Sequence, residues 1–219
     1  MSTTTGDEHS LLARRFRGYL PVVVDVECGG FNARTDALLE ISAVIIKMDD
    51  EGFVRPSEVI SHHIEPFEGA NIESAALEFT GIDPYHPFRH AVPEKAALTE
   101  MFRVVRRAIR RNGCTRAILC GHNAFFDHAF VSAAAERSEI KRNPFHPFSC
   151  LDTVTLAALA YGQTVLQRAC ECAGIEFEDS EAHSAVYDAQ KTAELFCMIV
   201  NRWQELGGWP LNRIDDHSH

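Results

Sequence analysis

The sequence predicts an α/β fold in which three antiparallel strands come first and strands alternating with helices follow, with helices on both faces of one mixed sheet. Three observations carry this. Residues 20–27, 38–48 and 57–65 read as strands joined by short polar links, the spacing of an antiparallel meander. From residue 72 the apolar pattern changes to the helical period. Between the helical stretches lie two short strand-like runs, 116–120 and 148–152. At 219 residues, 46% hydrophobic and 24% charged, the chain suits one soluble domain, 1–219, with an ordered core expected over about 14–212. The polar ends, 1–13 and 214–219, are expected to be disordered.

The first strand, Val22-Val23-Val24-Asp25-Val26-Glu27, follows Pro21 and ends before Gly29-Gly30. Side chains alternate faces along a strand, so Val22, Val24 and Val26 share one face and Val23, Asp25 and Glu27 the other. The two acids lie roughly 7 Å apart along the backbone. Like charges buried together are costly unless a cation joins them. An edge strand with a solvated polar face is the simpler alternative at this point.

The second strand alternates Leu39, Ile41, Ala43 and Ile45 against Leu38, Glu40, Ser42 and Val44, and Asp49-Asp50-Glu51-Gly52 turns the chain. The third is expected to end at Pro66. A short helix over 72–79 is stopped by Gly81 and Pro84. A long one spans 93–112, with Pro93 in its first turn and Gly113 at its C-terminal cap. Asn123 is the expected N-cap of a helix to about 137. Helices over 153–161, 164–173 and 184–206 complete the chain, the last stopped by Gly207-Gly208-Trp209-Pro210.

No apolar run approaches the ~18 residues of a membrane span. Met1 to Ser10 lacks the basic start and apolar core of a secretion signal. Seven cysteines without paired spacing point to free thiols and a cytoplasmic location. A net charge of −10 argues against non-specific nucleic-acid binding, yet eleven of the 21 basic residues cluster: Arg14, Arg15 and Arg17; Arg103, Arg106, Arg107, Arg110, Arg111 and Arg116; Lys141 and Arg142. Local sign matters more to a polyanion than the total.

Two further acids sit on otherwise apolar helix stripes: Asp127 with Phe130, Val131 and Ala134, and Asp188 with Thr192, Leu195 and Ile199. Each lies near a helix N-terminus, where the dipole favours an anion. An inward Asp bonded to backbone amides or a buried Arg is the alternative for each. His183 precedes Asp188 by five residues, and because an unperturbed imidazole titrates near neutral pH it is a candidate general base; His122 is the next candidate. Four carboxylates select a hard ion such as Mg²⁺ or Mn²⁺ over zinc and suit a two-metal phosphoryl centre.

Asp25-Val-Glu27, Asn123-x-x-x-Asp127 and His183-x-x-x-x-Asp188, in this order, resemble the signature of the DEDDh exonuclease family, whose fold is ribonuclease-H-like. The stretches Arg15-Phe16-Arg17-Gly18, Phe31 through Ile41, Asn143 through Phe148 and Asn201 through Leu211 are similar to the branch of that family that trims stable RNA. That resemblance implies a 3′→5′ exonuclease that removes short single-stranded 3′ ends, chiefly of tRNA, also cuts DNA, and releases nucleoside 5′-monophosphates. Two Mg²⁺ per subunit are implied, with Mn²⁺ as a substitute. Asp25, Glu27 and Asp188 would hold the first ion, Asp25 would bridge to the second, Asp127 would position that one through water, and His183 would take the proton of the attacking water. Phe31, Phe79, Phe126 and Phe148 match positions that stack on the last bases. Arg15, Arg17, Arg110, Arg116 and Lys141 match a basic patch that feeds RNA to the partner subunit of a homodimer. Ala75 departs from the family's acidic residue at a base-contacting position, with Glu73 and Glu78 only nearby. A DNA-proofreading or short-oligoribonucleotide exonuclease shares the five catalytic residues, and a non-catalytic nucleic-acid-binding module on the same fold is an alternative of another class.

Overall fold

The computed structural model describes residues 10–209. Five strands form one sheet in the order β3-β2-β1-β4-β5, with ranges Tyr19–Cys28, Leu38–Met48, Val54–His63, Arg116–Gly121 and Phe145–Asp152 for β1 to β5. β1, β2 and β3 are antiparallel neighbours, while β4 and β5 run parallel to β1. The expected meander is therefore present, but it grows on its first strand: β4 joins β1 on the side away from β2, which makes β1 central rather than an edge.

Among the described residues, seven α-helices pack around the sheet: α1 (Leu11–Arg15), α2 (Ser74–Thr80), α3 (Glu94–Arg111), α4 (Ala124–Arg137), α5 (Thr153–Tyr161), α6 (Leu166–Ala173) and α7 (Ala185–Glu205). Val22, Val24 and Val26 pack with Leu98, Met101 and Val105 of α3 and Phe130 and Val131 of α4. Val23 faces the other way, into Ala189, Ala193 and Phe196 of α7. The alternation read along β1 thus separates two cores.

Several local expectations shift, and β5 also begins earlier than expected, at Phe145. Residues 11–13 belong to α1, and Leu12 and Ala13 are buried, because this turn closes the first core; residues 1–9 and 214–219 lie outside the described residues. β3 starts earlier than expected, at Val54. Asp49 Oδ1 accepts the amides of Glu51 and Phe53, which tightens the turn, and Pro56 is tolerated because β3 is an edge strand. Pro93 caps α3 instead of entering it. Asn123 is the N-cap of α4, but in the left-handed region at φ 71° and with no side-chain bond. Asp152 supplies the bonds instead, accepting Asn123 N–H at 3.4 Å and Ala124 N–H at 3.1 Å as well as Val154 N–H of α5 at 2.8 Å.

Candidate active site

β1 pairs with β4 only from Tyr19 to Val23. Beyond Cys120 the two strands part, and Val26 N–H loses its strand partner. The Asp127 carboxylate takes it, Oδ1 accepting at 3.1 Å. This crevice past the carboxyl ends of parallel strands is where open α/β sheets hold ligands. Gly121 makes the approach feasible, because a Cβ there would stand 3.0 Å from Asp127 Oδ2 and 3.1 Å from Val24 O.

The four acids converge on this crevice. Glu27 and Asp127 are buried, and Asp25 and Asp188 are partly exposed. Burial, then the charges of Asp127, Glu27, Asp188 and Glu40, holds the Asp25 carboxyl well above its ordinary value. Burial first, with Asp188, Glu40 and Asp127 adding, pushes Glu27 up to about 8. Asp127 is raised by burial and by Asp152 despite its backbone bonds. Asp188 is raised by burial, against the opposing pull of His183. Such crowding is the physical demand for a cation.

Asp188 Oδ2 accepts His183 N–H at 3.0 Å. Its Oδ1 is buried without a hydrogen-bond partner among the described residues. One ligand atom each from Glu27, His183 and Asp188 lies within 4.8 Å of the others. An orphaned carboxylate oxygen beside a second carboxylate and an imidazole fits a divalent cation. The acid-rich donor set of the crevice favours a hard one. Asp25 and Asp127 flank this trio without belonging to it. His183 is exposed, and its ring packs on Phe79 with centroids 4.1 Å apart. His122 lies apart from it, its two ring nitrogens bonded to Thr153 Oγ1 at 3.0 Å and Thr164 O at 2.9 Å.

An apolar cavity of about 350 Å³ adjoins Glu27 and is lined by Phe31, Phe79 and Phe126. Phe31 and Phe79 are 86% and 66% exposed, which core packing does not explain. Phe31 meets Phe126 edge-on at 6.2 Å. Phe148 does not line this cavity; it stands on β5, 81% exposed and edge-on to His146. Ala75 and Glu73 both line the cavity, so the carboxylate that the sequence placed merely nearby is in its wall.

The sequence reading passed over Glu40. It is paired directly opposite Glu27 across β1 and β2. Its Oε1 lies 2.9 Å from His63 Nδ1, and its Oε2 accepts Ala185 N–H at 3.4 Å, at the start of the helix that carries Asp188. The sequence carried only an acid on the Ser42 face of β2; its place opposite Glu27 comes from the register. Phe125, 73% exposed in the first turn of α4, was also passed over.

The basic residues separate into two kinds. Arg17, Arg110, Arg116 and Lys141 are exposed. Tyr19 and Arg116 are register partners at the start of β1 and β4, so this group lies at the opposite end of the sheet from Glu27. Arg15 differs: it donates to Gln204 Oε1 at 3.1 Å and Val200 O at 3.2 Å, and burial lowers its pKa. It ties α1 to α7 instead of offering a free charge.

No helix among the described residues is long and apolar enough to cross a membrane. The sequence profile of the RNase_T exonuclease family matches residues 22–196. The ribonuclease T of Hahella chejuensis is 66% identical over 215 residues, covering 98% of this chain and 99% of that protein. The ribonuclease T of Photorhabdus laumondii is 61% identical over 202 residues, covering 92% and 93%. Among solved structures, E. coli exonuclease I in complex with a dT13 oligonucleotide superposes with a TM-score of 0.65 at 19% identity, over 86% of this chain and 42% of that one. A full-length 3′-exonuclease gives 0.64 at 14% identity, over 86% and 82%. These two share the fold, with the chain spanning less than half of the larger enzyme. The profile and the close full-length relatives establish that this chain belongs to the ribonuclease T family of exonucleases.

Proposed function

We propose that this chain, as a single exonuclease domain, is a metal-dependent 3′→5′ exoribonuclease. It trims short single-stranded 3′ ends of tRNA and other stable RNAs and also degrades single-stranded DNA, releasing nucleoside 5′-monophosphates in the cytoplasm. The observation that carries this reading is the juxtaposition of the acidic crevice with the aromatic cavity: Glu27 belongs to both. A 3′-terminal nucleotide seated in the cavity has its phosphate at the acids.

Asp25, Glu27, Asp127 and Asp188 are the proposed holders of two Mg²⁺ ions, replaceable by Mn²⁺. Metal held by these carboxylates would supply a lower pKa to the attacking water and neutralisation of charge developing at phosphorus. Everything else falls to side chains. Asp127 fixes α4 on β1 through Val26 N–H. Asp188 holds the backbone of His183, and His183 removes the water's proton, its exposed ring set against Phe79. An imidazole within reach of the attacking water is a common general base. Phe31, Phe79, Phe126 and Phe148 stack on bases, a contact that every base tolerates.

The position of the basic group supports a homodimer. Arg17, Arg110, Arg116 and Lys141 flank the start of β1, and Glu27 lies eight residue steps along the strand from Tyr19, roughly 26 Å of strand rise. A short 3′ tail in the cavity of one subunit leaves the body of a tRNA to be held by the partner's patch. Arg15, committed to α7, contributes by shaping α1.

The test is digestion of a 3′-tailed tRNA, a DNA oligomer and a dinucleotide by the purified protein. A ladder from the 3′ end of the tRNA in Mg²⁺, abolished by chelation, is expected. Activity confined to the dinucleotide contradicts the substrate assignment, and full activity in excess chelator contradicts the mechanism.

A further inference from the structure

Phe31 and Phe79 stand on different segments, the loop after β1 and helix α2. These segments are stitched together before they reach the cavity. Ala37 N–H donates to Asn71 O at 3.0 Å, Asn71 N–H to Thr35 O at 2.8 Å, and Glu73 N–H to Gly29 O at 2.7 Å. At the centre of this seam is Asp36, 3% exposed. Its Oδ2 accepts Asn32 N–H at 2.9 Å, and its Oδ1 accepts Thr35 Oγ1 at 2.8 Å and Asn71 Nδ2 at 3.1 Å. Burial alone raises this carboxyl, but the bonds from Asn32, Thr35 and Asn71 outweigh it, and its pKa lies below the ordinary value. The loop closes tightly on the carboxylate: a Cβ at Gly30 would stand 2.2 Å from Asp36 Oδ2 and 3.3 Å from Glu73 Cδ.

We propose that Asp36 is a positioning residue for the exonuclease reaction, a clasp that joins the two arms of the aromatic cavity and sets Phe31 opposite Phe79 for the 3′-terminal base. The proposal rests on the reading of Phe31 and Phe79 as base-stacking residues. Asp36 touches neither base nor phosphate. Three donors from two segments meet on one buried carboxylate, so the spacing of the arms is fixed before substrate arrives. Preorganisation of this kind lowers the ordering cost of binding. An amide at position 36 whose oxygen stays toward Asn71 Nδ2 and Thr35 Oγ1 keeps the cross-segment bond and sets its NH₂ against the Asn32 N–H, so Asp36→Asn retains part of the clasp where Asp36→Ala retains none.

The test compares Asp36→Ala, Asp36→Asn and Phe31→Ala on a single-stranded DNA oligomer with 2-aminopurine as its 3′-terminal base. Binding and the fluorescence change are read with Ca²⁺ in place of Mg²⁺, and kcat and KM with Mg²⁺. Asp36→Ala is expected to weaken binding and raise KM about tenfold and to reduce the fluorescence change, with kcat at saturation within about twofold of wild type, as expected when binding energy alone is lost. Asp36→Asn is expected to recover part of the loss. Amide exchange at Asn32, Asn71 and Glu73 is expected to rise together. If Phe31→Ala shifts KM and fluorescence while Asp36→Ala shifts neither, the clasp is overturned and stacking stands. If Phe31→Ala shifts neither, the stacking reading fails and the clasp with it. Should Asp36→Ala not fold, Asn71→Ala removes only the side-chain bond that Asp36 accepts from the second segment; a KM rise of about threefold then supports the clasp, and an unchanged KM overturns it.

Discussion

The Asp127 carboxylate accepts the Val26 amide at 3.1 Å, so the first turn of α4 is bonded to the strand that carries Asp25 and Glu27. One acid thereby completes a backbone ladder that β4 abandons and anchors the crevice in which the other acids lie.

That bond depends on the absence of a side chain at Gly121. Gly121→Ala places a methyl group 3.0 Å from Asp127 Oδ2 and 3.1 Å from both Ala124 Cα and Val24 O. Two of these neighbours are backbone and cannot yield cheaply. The variant is expected to lose about 1–3 kcal/mol of stability, the usual cost of overpacking, and to lose activity further than its folded fraction explains. Urea melts and specific activity check this; wild-type values for both contradict it.

The acids make the metal-free protein sensitive to pH. Glu27 has a carboxyl at about 8 in the fold against an ordinary 4.5. Between these values the folded state binds more protons than the unfolded chain, so stability falls as pH rises through this window. Asp25, Asp127 and Asp188 shift in the same direction. Thermal melts of chelated protein are expected to show Tm decreasing from pH 5 to pH 8, and added Mg²⁺ is expected to flatten the slope. A Tm that rises over this range without metal contradicts the assignment.

The aromatic residues are expected to differ. Phe31→Ala and Phe126→Ala remove rings from the cavity and are expected to cost about 1–3 kcal/mol of binding each, seen as a raised KM. Phe148→Ala removes a ring outside it, so its effect is expected on substrates longer than a dinucleotide. Kinetics on a dinucleotide and on a longer oligomer separate the two; equal losses for all three variants on the dinucleotide contradict this division.

The basic residues divide in the same way. Arg17→Ala with Arg116→Ala removes exposed charge and is expected to weaken RNA binding uniformly and flatten its dependence on salt. Arg15→Ala removes two bonds to α7 and is expected to lower stability by about 1–3 kcal/mol, the cost of an unmade buried bond to a charged group. Binding titrations at several salt concentrations and urea melts distinguish them. An unchanged salt slope in the double variant leaves Arg17 and Arg116 as ordinary surface.

Much of this molecule was legible in short-range pattern. The alternation in Val22 to Glu27 separated the two cores correctly, and β2 and α5 fall on the boundaries read from the sequence. What the pattern could not carry was long-range pairing. Nothing local says that β4 joins β1 on its free side, and so Val26 and Asp127, 101 residues apart, could not be linked in advance. Asn123 had the right residue type for a cap, yet Asp152 does the capping from 28 residues away. Glu40 was hidden for a similar reason: its role depends on standing opposite Glu27, which only the register reveals. Arg15 counted as a free charge because its partners lie on the last helix.

The central claim is that the crowded acids hold metal for chemistry and are not needed to bind the nucleic acid. It is tested most directly by Asp25→Asn, with cleavage of a 3′-tailed RNA in Mg²⁺ and binding of the same RNA measured side by side. Cleavage is expected to fall below detection while binding stays within a few-fold of wild type. Cleavage at the wild-type rate contradicts the account.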